Sequence, residues 1–363
     1  MKKTALTLEG TNDILFSECR FKHQTEESIM GCFESYGYFP LETPLMEYDS
    51  VFSDADGLYR LVDRNGAVVS LRPDMTMPIA RVAATKLFDQ LPVRASYLGN
   101  VYRFSDPTKG GRQNEFTQAG IELLGETGTF YDAEVIAVTV NALLDAGAAD
   151  FMVELGNVNF VRGLLSESHL SEELQEEIND LMVKKDILSM EEVLKSVTLE
   201  ESIKDIILRL PTLFGGKEVL DEMLEKRLPD QSKKALTDLL EIYTYLSYYG
   251  YENYITFDLG MNKNMDYYTG MIFKIFHQGV GFPVAGGGRY DKLISRFGKE
   301  IPATGSAIYI NRLMDGMSHV ISYQAPKADE ILSGEDKKAM IQKAKELRKA
   351  GLSVIVNGER EGE

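Results

Sequence analysis

Two strand-forming segments joined by a short polar loop constrain the fold of this 363-residue chain more than any other feature. They span residues 96–104 and 114–124, and the loop between them reads SDPTKGGRQ. A second hairpin is predicted over residues 58–72, because the pair Asn65-Gly66 favours the backbone of a tight hairpin turn. Adjacent strands of this kind indicate an antiparallel sheet.

Helix-forming segments surround these strands. The apolar periodicity predicts helices at 12–37, 74–87 and 131–146. From about residue 166 to 241 the chain is rich in Glu, Lys, Leu and Ile and almost free of strand signals, which predicts a helical insertion. Further strands are predicted at 151–155, 255–260, 269–276 and 284–285. The pattern indicates an α+β fold with an antiparallel sheet flanked by helices.

The tail beyond residue 323 has a pattern of its own. A strand at 330–332, a helix at 337–349 and a strand at 352–356 predict a short βαβ fragment. Such a fragment is too short to bury a core alone. We therefore predict a core domain over residues 1–323 and a partial α/β domain over residues 324–363.

Composition and charge narrow the possible functions. No apolar run approaches the roughly 20 residues that a membrane span requires. Asp and Glu number 56 against 39 Lys and Arg, and the net charge of −17 makes binding to tRNA an unfavoured interpretation. Two cysteines provide no disulfide framework, and the four histidines lack metal-binding spacing. We expect a cytoplasmic protein without metal or cofactor.

Polar side chains on the two paired strands could bind an amino acid. Gln118 and Glu122 share one face of the second strand if that strand is regular, and Arg103 lies on the first. Carboxylates bind ammonium groups and an arginine binds a carboxylate. The alternative is a solvated sheet face with ordinary cross-strand pairs, and the spacing alone favours this alternative.

Two other segments have simpler interpretations. GGGRYD at 286–291 lacks a following G-K-S/T, so we predict a tight turn with a close backbone approach rather than a phosphate-binding loop. The tyrosine-rich run at 243–254 is predicted to be a helix that packs on the sheet.

Several motifs occur in the order that is typical of histidyl-tRNA synthetases. They are LRPDMT at 71–76, residues 100–125, DYYTG at 266–270, GGGRYDKLI at 286–294 and PATGSAIYINRL at 302–313. The segment FPLETPLMEY at 39–48 resembles motif 1 of class II synthetases, residues 100–125 resemble motif 2, and PATGSAIYINRL resembles motif 3. The resemblance implies a class II synthetase-type core and a homodimer through the motif 1 strand around Pro44.

The resemblance also implies a pocket shaped for histidine. The residues that it carries over are Asp74, Thr76, Arg103, Gln118, Glu122, Tyr267 and Tyr268. Three positions depart from the family at the reaction centre: Ser105 replaces a glutamate, Lys263 an arginine and Asn311 a glutamate. Lysine lacks the planar fork of arginine, and amino-acid activation depends on positioned charges. We therefore predict a protein that is not an enzyme.

The chain most resembles the regulatory subunits of ATP phosphoribosyltransferase, which are relatives of the synthetases used in histidine biosynthesis. This resemblance implies a hetero-oligomer with a short catalytic subunit and feedback control by histidine. Two alternatives remain open at this point. One is a divergent histidyl-tRNA synthetase or other amino-acid-activating ligase, and the other is an independent amino-acid-binding module.

Overall fold

A computed structural model describes residues 6–52, 55–104, 113–166, 170–197, 199–261, 267–317, 327–334 and 336–357. The described chain forms two compact units. The larger contains residues 6–13 and 22–317, and the smaller contains residues 14–21 and 327–357. No helix in these ranges is long and apolar enough to cross a lipid bilayer.

Fourteen strands and eleven α-helices make up the described chain. The strands are β1 Phe39–Pro40, β2 Met46–Tyr48, β3 Arg60–Val62, β4 Val68–Leu71, β5 Val93–Tyr102, β6 Glu115–Leu124, β7 Phe151–Asn157, β8 Phe214–Gly215, β9 Ile255–Asp258, β10 Met271–His277, β11 Ala285–Arg289, β12 Ala303–Tyr309, β13 Glu330–Ser333 and β14 Val354–Asn357. The helices are α1 Phe16–Ser35, α2 Thr76–Val82, α3 Thr129–Asp145, α4 Val158–Ser166, α5 Glu172–Lys184, α6 Ile187–Lys195, α7 Glu201–Arg209, α8 Lys217–Leu224, α9 Asp230–Tyr248, α10 Ile310–Gly316 and α11 Lys337–Lys349.

The main sheet has nine strands in the order β1-β5-β6-β12-β11-β10-β7-β9-β8. The predicted hairpin of β5 and β6 is present and pairs Val93 with Leu124 and Tyr102 with Glu115. All neighbours are antiparallel except β1 with β5 and β7 with β9, which are parallel. The sheet is therefore mixed, and the α+β class predicted from the sequence is confirmed.

The glycine-rich segment predicted as a turn is a strand. β11 lies inside the main sheet between β10 and β12. A side chain at Gly287 would overlap the backbone of Gly305 on β12, and one at Gly288 would overlap the carbonyl of Met271 on β10. The prediction of close backbone approach was right and the prediction of a turn was wrong, because the glycines admit neighbouring strands rather than a reversal of the chain.

A separate three-stranded antiparallel sheet has the order β2-β4-β3. The predicted hairpin turn is held by Asp63, whose carboxylate accepts hydrogen bonds from the backbone of Asn65 and Ala67. Pro44 was predicted to lie in a strand, but it lies in the link between β1 and β2. The carbonyl of the preceding residue, Thr43, accepts a hydrogen bond from Arg72 at 2.8 Å, which fixes this link.

α3 packs on one face of the main sheet, and the start of α2 lies on the other face, where Thr76 contacts Glu122 of β6. α3 is buried along most of its length, and its Thr139 hydroxyl bonds the hydroxyl of Ser306 on β12 at 2.7 Å. The predicted insertion contains α5 to α8 and the first part of α9, and its β8 pairs with β9. In the smaller unit, β13 and β14 pair in parallel around α11, as the βαβ pattern predicts.

Candidate functional site

Glu122 is the centre of a polar cluster on the face of the main sheet opposite α3. It lies on β6 and is only 1% exposed. Its carboxylate accepts hydrogen bonds from the hydroxyls of Thr76, at 2.9 Å, and Tyr290. Burial raises the pKa of Glu122 to about 8, although both hydroxyl donors oppose this shift. Within the described residues no Lys, Arg or His forms an ion pair with it.

The start of α2 brings a second carboxylate to the cluster. Asp74 precedes this helix, and its Oδ1 accepts the backbone N–H of Met77 at 2.9 Å. Burial raises the pKa of Asp74, while the positive charge of Arg103 lowers it. The negative charge of Asp74 in turn contributes to the raised pKa of Glu122. The two acids therefore share one electrostatic environment.

Gln118 has an unused hydrogen-bond acceptor. It lies four residues before Glu122 on the same face of β6 and is 4% exposed. Its side-chain oxygen is buried and has no hydrogen-bond partner in the described part of the chain. A buried acceptor without a donor is costly, so this atom indicates a ligand that carries an N–H or O–H group. The interpretation of a solvated sheet face is wrong for both Gln118 and Glu122, because both side chains are buried.

Aromatic rings form the wall of the cluster. The rings of Tyr267 and Tyr268 lie 4.6 Å apart, and Tyr290 meets Tyr267 edge-on at 6.2 Å. Burial raises the pKa of Tyr267, and the carboxylates of Asp74 and Glu122 raise it further. All three phenols therefore stay neutral at physiological pH and can each donate or accept a hydrogen bond.

Glycines make the room that these side chains occupy. A Cβ at Gly305 would overlap the carboxylate of Glu122, and a Cβ at Gly120 would overlap the ring of Tyr97. A Cβ at Gly288 would come within 2.9 Å of the ring of Tyr268. The absence of side chains at these glycines of β6, β11 and β12 thus leaves the space in which the cluster packs against the sheet.

Arg103 lies at the exposed end of the site. Its guanidinium donates to the carbonyl of Pro73 at 2.9 Å, and its positive charge lowers the pKa of Asp74. Of the residues predicted for the pocket, contacts and charges connect Asp74, Thr76, Arg103, Glu122, Tyr267 and Tyr268. The seventh, Gln118, lies on the same face of β6 as Glu122.

Of the three positions that depart from the synthetase pattern, the structure describes one. Asn311 accepts the backbone N–H of Thr117 on β6 at 2.8 Å through its side-chain oxygen. This bond ties the start of α10 to the sheet. Ser105 and Lys263 lie outside the described residues.

Sequence reasoning missed two tyrosines of this site. Tyr290 follows the glycine-rich strand and binds Glu122, and Tyr97 on β5 donates to the carbonyl of Ser306 at 3.2 Å. Their spacing gives no signal, since Tyr290 is separated from Glu122 by 168 residues. The prediction of a turn at GGGRYD also hid the role of Tyr290, because the direction of that side chain differs between a turn and the end of a strand.

The arrangement suits a small zwitterion that carries a further polar ring. The carboxylates of buried Glu122 and half-buried Asp74 favour an ammonium group. The unpaired side-chain oxygen of Gln118 favours an N–H donor, and the exposed guanidinium of Arg103 favours a carboxylate. No group of three or more His, Cys, Asp or Glu that could hold a metal ion occurs among the residues that the structure describes.

Comparison with known proteins agrees with this geometry. The family described as histidyl-tRNA synthetase matches residues 10–313. A protein of Ruminiclostridium cellulolyticum named ATP phosphoribosyltransferase regulatory subunit is 40% identical over 96% of this chain and 85% of its own length. The protein of the same name from Acetivibrio thermocellus is also 40% identical, over 97% of this chain and 86% of its own length.

The chain belongs to the ATP phosphoribosyltransferase regulatory subunit family. A solved structure from Bacillus halodurans, described as an ATP phosphoribosyltransferase regulatory subunit/histidyl-tRNA synthetase, is 31% identical with a TM-score of 0.87. That match covers 98% of this chain and 93% of the other. A histidyl-tRNA synthetase from a Nostoc species has a TM-score of 0.81 at 23% identity, which shows that the family shares the synthetase fold.

Proposed function

We propose that this chain is the regulatory subunit of an ATP phosphoribosyltransferase in histidine biosynthesis, and that it senses histidine through the Glu122 pocket. The 40% identity to regulatory subunits over nearly the whole chain supports the role. In this role the chain works in the cytoplasm, assembles with a short catalytic subunit and lowers that subunit's activity when histidine binds.

One observation supports histidine as the ligand above all others. Glu122 is a buried carboxylate whose described partners are hydroxyl groups, and the unused acceptor of Gln118 lies four residues away on the same face of the strand. A histidine ammonium supplies a cation for Glu122, and an N–H group of the same ligand supplies a donor for Gln118. Its imidazole fits against Tyr267 and Tyr268, and its carboxylate faces Arg103. Each buried polar partner then has a counterpart, which lowers the cost of its burial.

The same pocket does not activate amino acids in our proposal. Activation requires charges that stabilise the transition state at the carboxylate and the phosphates. Ser105, Lys263 and Asn311 replace three such groups, and the side chain of Asn311 is engaged by the backbone of Thr117. This separates the proposal from the alternative of a divergent histidyl-tRNA synthetase.

A homodimer through residues 39–48 completes the proposal. One face of the small sheet carries Met46, Tyr48 and Leu61, all of which are largely exposed. Phe39 and Leu45 are exposed beside them in the chain segment that contains Pro44. A contiguous apolar face of this kind is typical of an association surface, and a two-fold contact would cover it with the same face of a second copy.

Titration calorimetry and activity assays test the function. Histidine should bind the purified chain, and Glu122→Ala should weaken binding at least about tenfold, because a buried charged partner is lost. Leu188→Ala, at an exposed position on α6, should bind as the wild type does. Addition of the chain to the cognate catalytic subunit should raise phosphoribosyltransferase activity and make it sensitive to histidine. Failure to stimulate that activity, or histidine-dependent ATP–pyrophosphate exchange by the chain alone, would refute the proposal.

A further inference from the structure

An aromatic ladder lies outside the histidine pocket, where the start of α3 meets the end of α9. It consists of Tyr131, Phe130, Tyr245 and Tyr248, in that order. Successive ring centroids are 5.5, 5.5 and 6.3 Å apart, and each pair meets nearly edge-on. Edge-to-face contacts of this kind hold each ring against the next. The ladder is therefore a continuous aromatic surface rather than a set of isolated side chains.

The ladder presents large rings to solvent in a fixed arrangement. Tyr248 is 78% exposed and Phe130 is 50% exposed. The carboxylate of Glu241 accepts the hydroxyl of Tyr245 at 3.1 Å and that of Thr129 at 2.8 Å. The bond from Thr129 joins α3 to α9, and the bond from Tyr245 fixes that ring on α9. Rigid, partly exposed aromatic rings are the side chains that most often anchor protein interfaces, since little conformational entropy is lost on binding.

Two carboxylates that are not ion-paired with Lys or Arg within the described residues lie against the ladder, those of Glu126 and Glu241. The neighbouring acids Asp132 and Glu134 are paired with Arg289 and Arg94. Glu126 and Glu241 each hydrogen-bond a ladder tyrosine, and these bonds raise the pKa of Tyr131 and Tyr245. The phenols therefore stay neutral and donate their hydrogen bonds to these carboxylates. A basic partner complements this surface, whereas a second copy of this acidic chain does not.

Elsewhere in the protein, a tyrosine hydrogen-bonded to a carboxylate binds an arginine. Glu134 on α3 accepts the hydroxyl of Tyr38 at 2.8 Å. Arg94 donates to both oxygens of Glu134, at 3.1 and 2.9 Å, and its guanidinium lies 5.7 Å from the centre of the Tyr38 ring. A tyrosine bound to a carboxylate thus forms a place where arginine can stack and pair at once. Tyr245 and Glu241 form the same tyrosine–carboxylate pair at the surface.

We propose that the aromatic ladder docks an arginine-bearing surface of the catalytic subunit. This inference rests on the proposed function, since the catalytic subunit is the partner that it concerns. Arginine side chains of that subunit stack on Tyr248 and Phe130 and pair with Glu241 and Glu126. The aromatic rings provide most of the affinity, and the carboxylates accelerate encounter and fix the orientation.

Binding of the purified full-length chain to its cognate catalytic subunit, measured by surface plasmon resonance, tests the inference. Tyr248→Ser should weaken the affinity at least about tenfold, because an exposed aromatic anchor is removed. Glu241→Gln should slow association at low salt and reduce its dependence on ionic strength. The matched controls are Leu188→Ser and Glu192→Gln, two exposed positions on α6 that should bind as the wild type does.

The outcomes separate this inference from the proposed function. Wild-type binding that both ladder variants retain in full would overturn the docking surface and leave the regulatory role intact. No binding by the wild type would overturn both. Tyr248→Arg adds a second check, since it keeps the position exposed and places a like charge against the arginine surface. Thermal melting of each variant at the wild-type temperature keeps a loss of binding distinct from a loss of fold.

Discussion

Glu122 illustrates how burial sets the chemistry of a single side chain. Its carboxylate lies in the sheet with hydroxyl donors around it, and burial raises its pKa to about 8. An acid whose pKa is higher in the folded state than in the unfolded chain binds its proton more tightly after folding. Its contribution to stability is present below about pH 4.5, the ordinary value, and is lost as the pH rises through about 8.

This linkage gives a prediction for Glu122→Gln. The neutral amide carries no ionisation cost, so the variant should gain stability relative to the wild type as the pH rises from about 5 to 9, by at least about 1 kcal/mol at the upper end. Urea unfolding of both proteins across this range measures the difference. A constant difference in the free energy of unfolding would contradict the role given to ionisation.

Histidine affinity should also depend on the ionisation of Glu122, but it should increase with pH where the stability decreases. The charged carboxylate attracts the ammonium of the ligand, so wild-type affinity should rise between about pH 6.5 and 8.5. The Glu122→Gln variant should bind weakly and with a flatter dependence on pH, as measured by calorimetry. The variant also corrects for titration of histidine itself, which is common to both proteins.

At the scale of elements, a buried ion pair joins β11 to α3. Arg289 contacts Asp132 at 2.8 Å, and both side chains are nearly inaccessible to solvent. The guanidinium also donates to Asp291 at 3.0 Å and to the carbonyl of Glu126 at 3.1 Å. The pair therefore fixes the glycine-rich strand, which has few side chains of its own, against the helix behind it.

Breaking this pair should cost more than breaking a surface pair. Arg289→Gln leaves Asp132 buried without its cation, and we expect a loss of about 3–5 kcal/mol in the free energy of unfolding. Arg209→Gln breaks the exposed pair with Glu222 and should cost less than about 1 kcal/mol. Denaturant unfolding of both variants measures the contrast, and equal effects would contradict the structural role of Arg289.

The sequence predicted these elements unevenly, and the reasons are physical. The β5–β6 hairpin and α3 follow from local patterns that survive folding unchanged. β11 was predicted as a turn, because three glycines have no side-chain periodicity and acquire their role only from the strands on either side. Tyr290 was missed for the same reason. Glu122 and Gln118 were found from the motif, whereas their burial depends on α2 and β12, which are distant in sequence.

At the scale of the whole molecule, the small sheet presents an exposed apolar face. Met46 and Tyr48 lie on β2 and Leu61 lies on β3, the two strands that flank β4, and all three are exposed in the isolated chain. We propose that this face is buried in a homodimer, and that the polypeptide divides near residue 323 into a core domain and a partial α/β domain. The pocket that we propose for histidine lies entirely within the larger of these parts.

Charge on the apolar face should disrupt the proposed dimer. Tyr48→Asp places a carboxylate at the centre of the predicted contact, where its desolvation is costly, so the variant should be monomeric at micromolar concentration. Leu188→Asp, at an exposed apolar position on α6, should leave the dimer intact. Light scattering coupled to gel filtration gives the mass of each protein. A monomeric wild type would refute the dimer.

The two edge strands of the nine-stranded sheet affect the tendency of this chain to aggregate at high concentration. Each end is a strand of only two residues, β1 and β8, and β1 contains Pro40, which has no backbone N–H to donate. A foreign strand therefore finds almost no free row of amides and carbonyls to which it could add. The exposed apolar side chains proposed for assembly and the ends of the main sheet lie at different places on the molecule. Association through those side chains therefore does not require the sheet to extend, and the short end strands disfavour the extension that leads to fibrils.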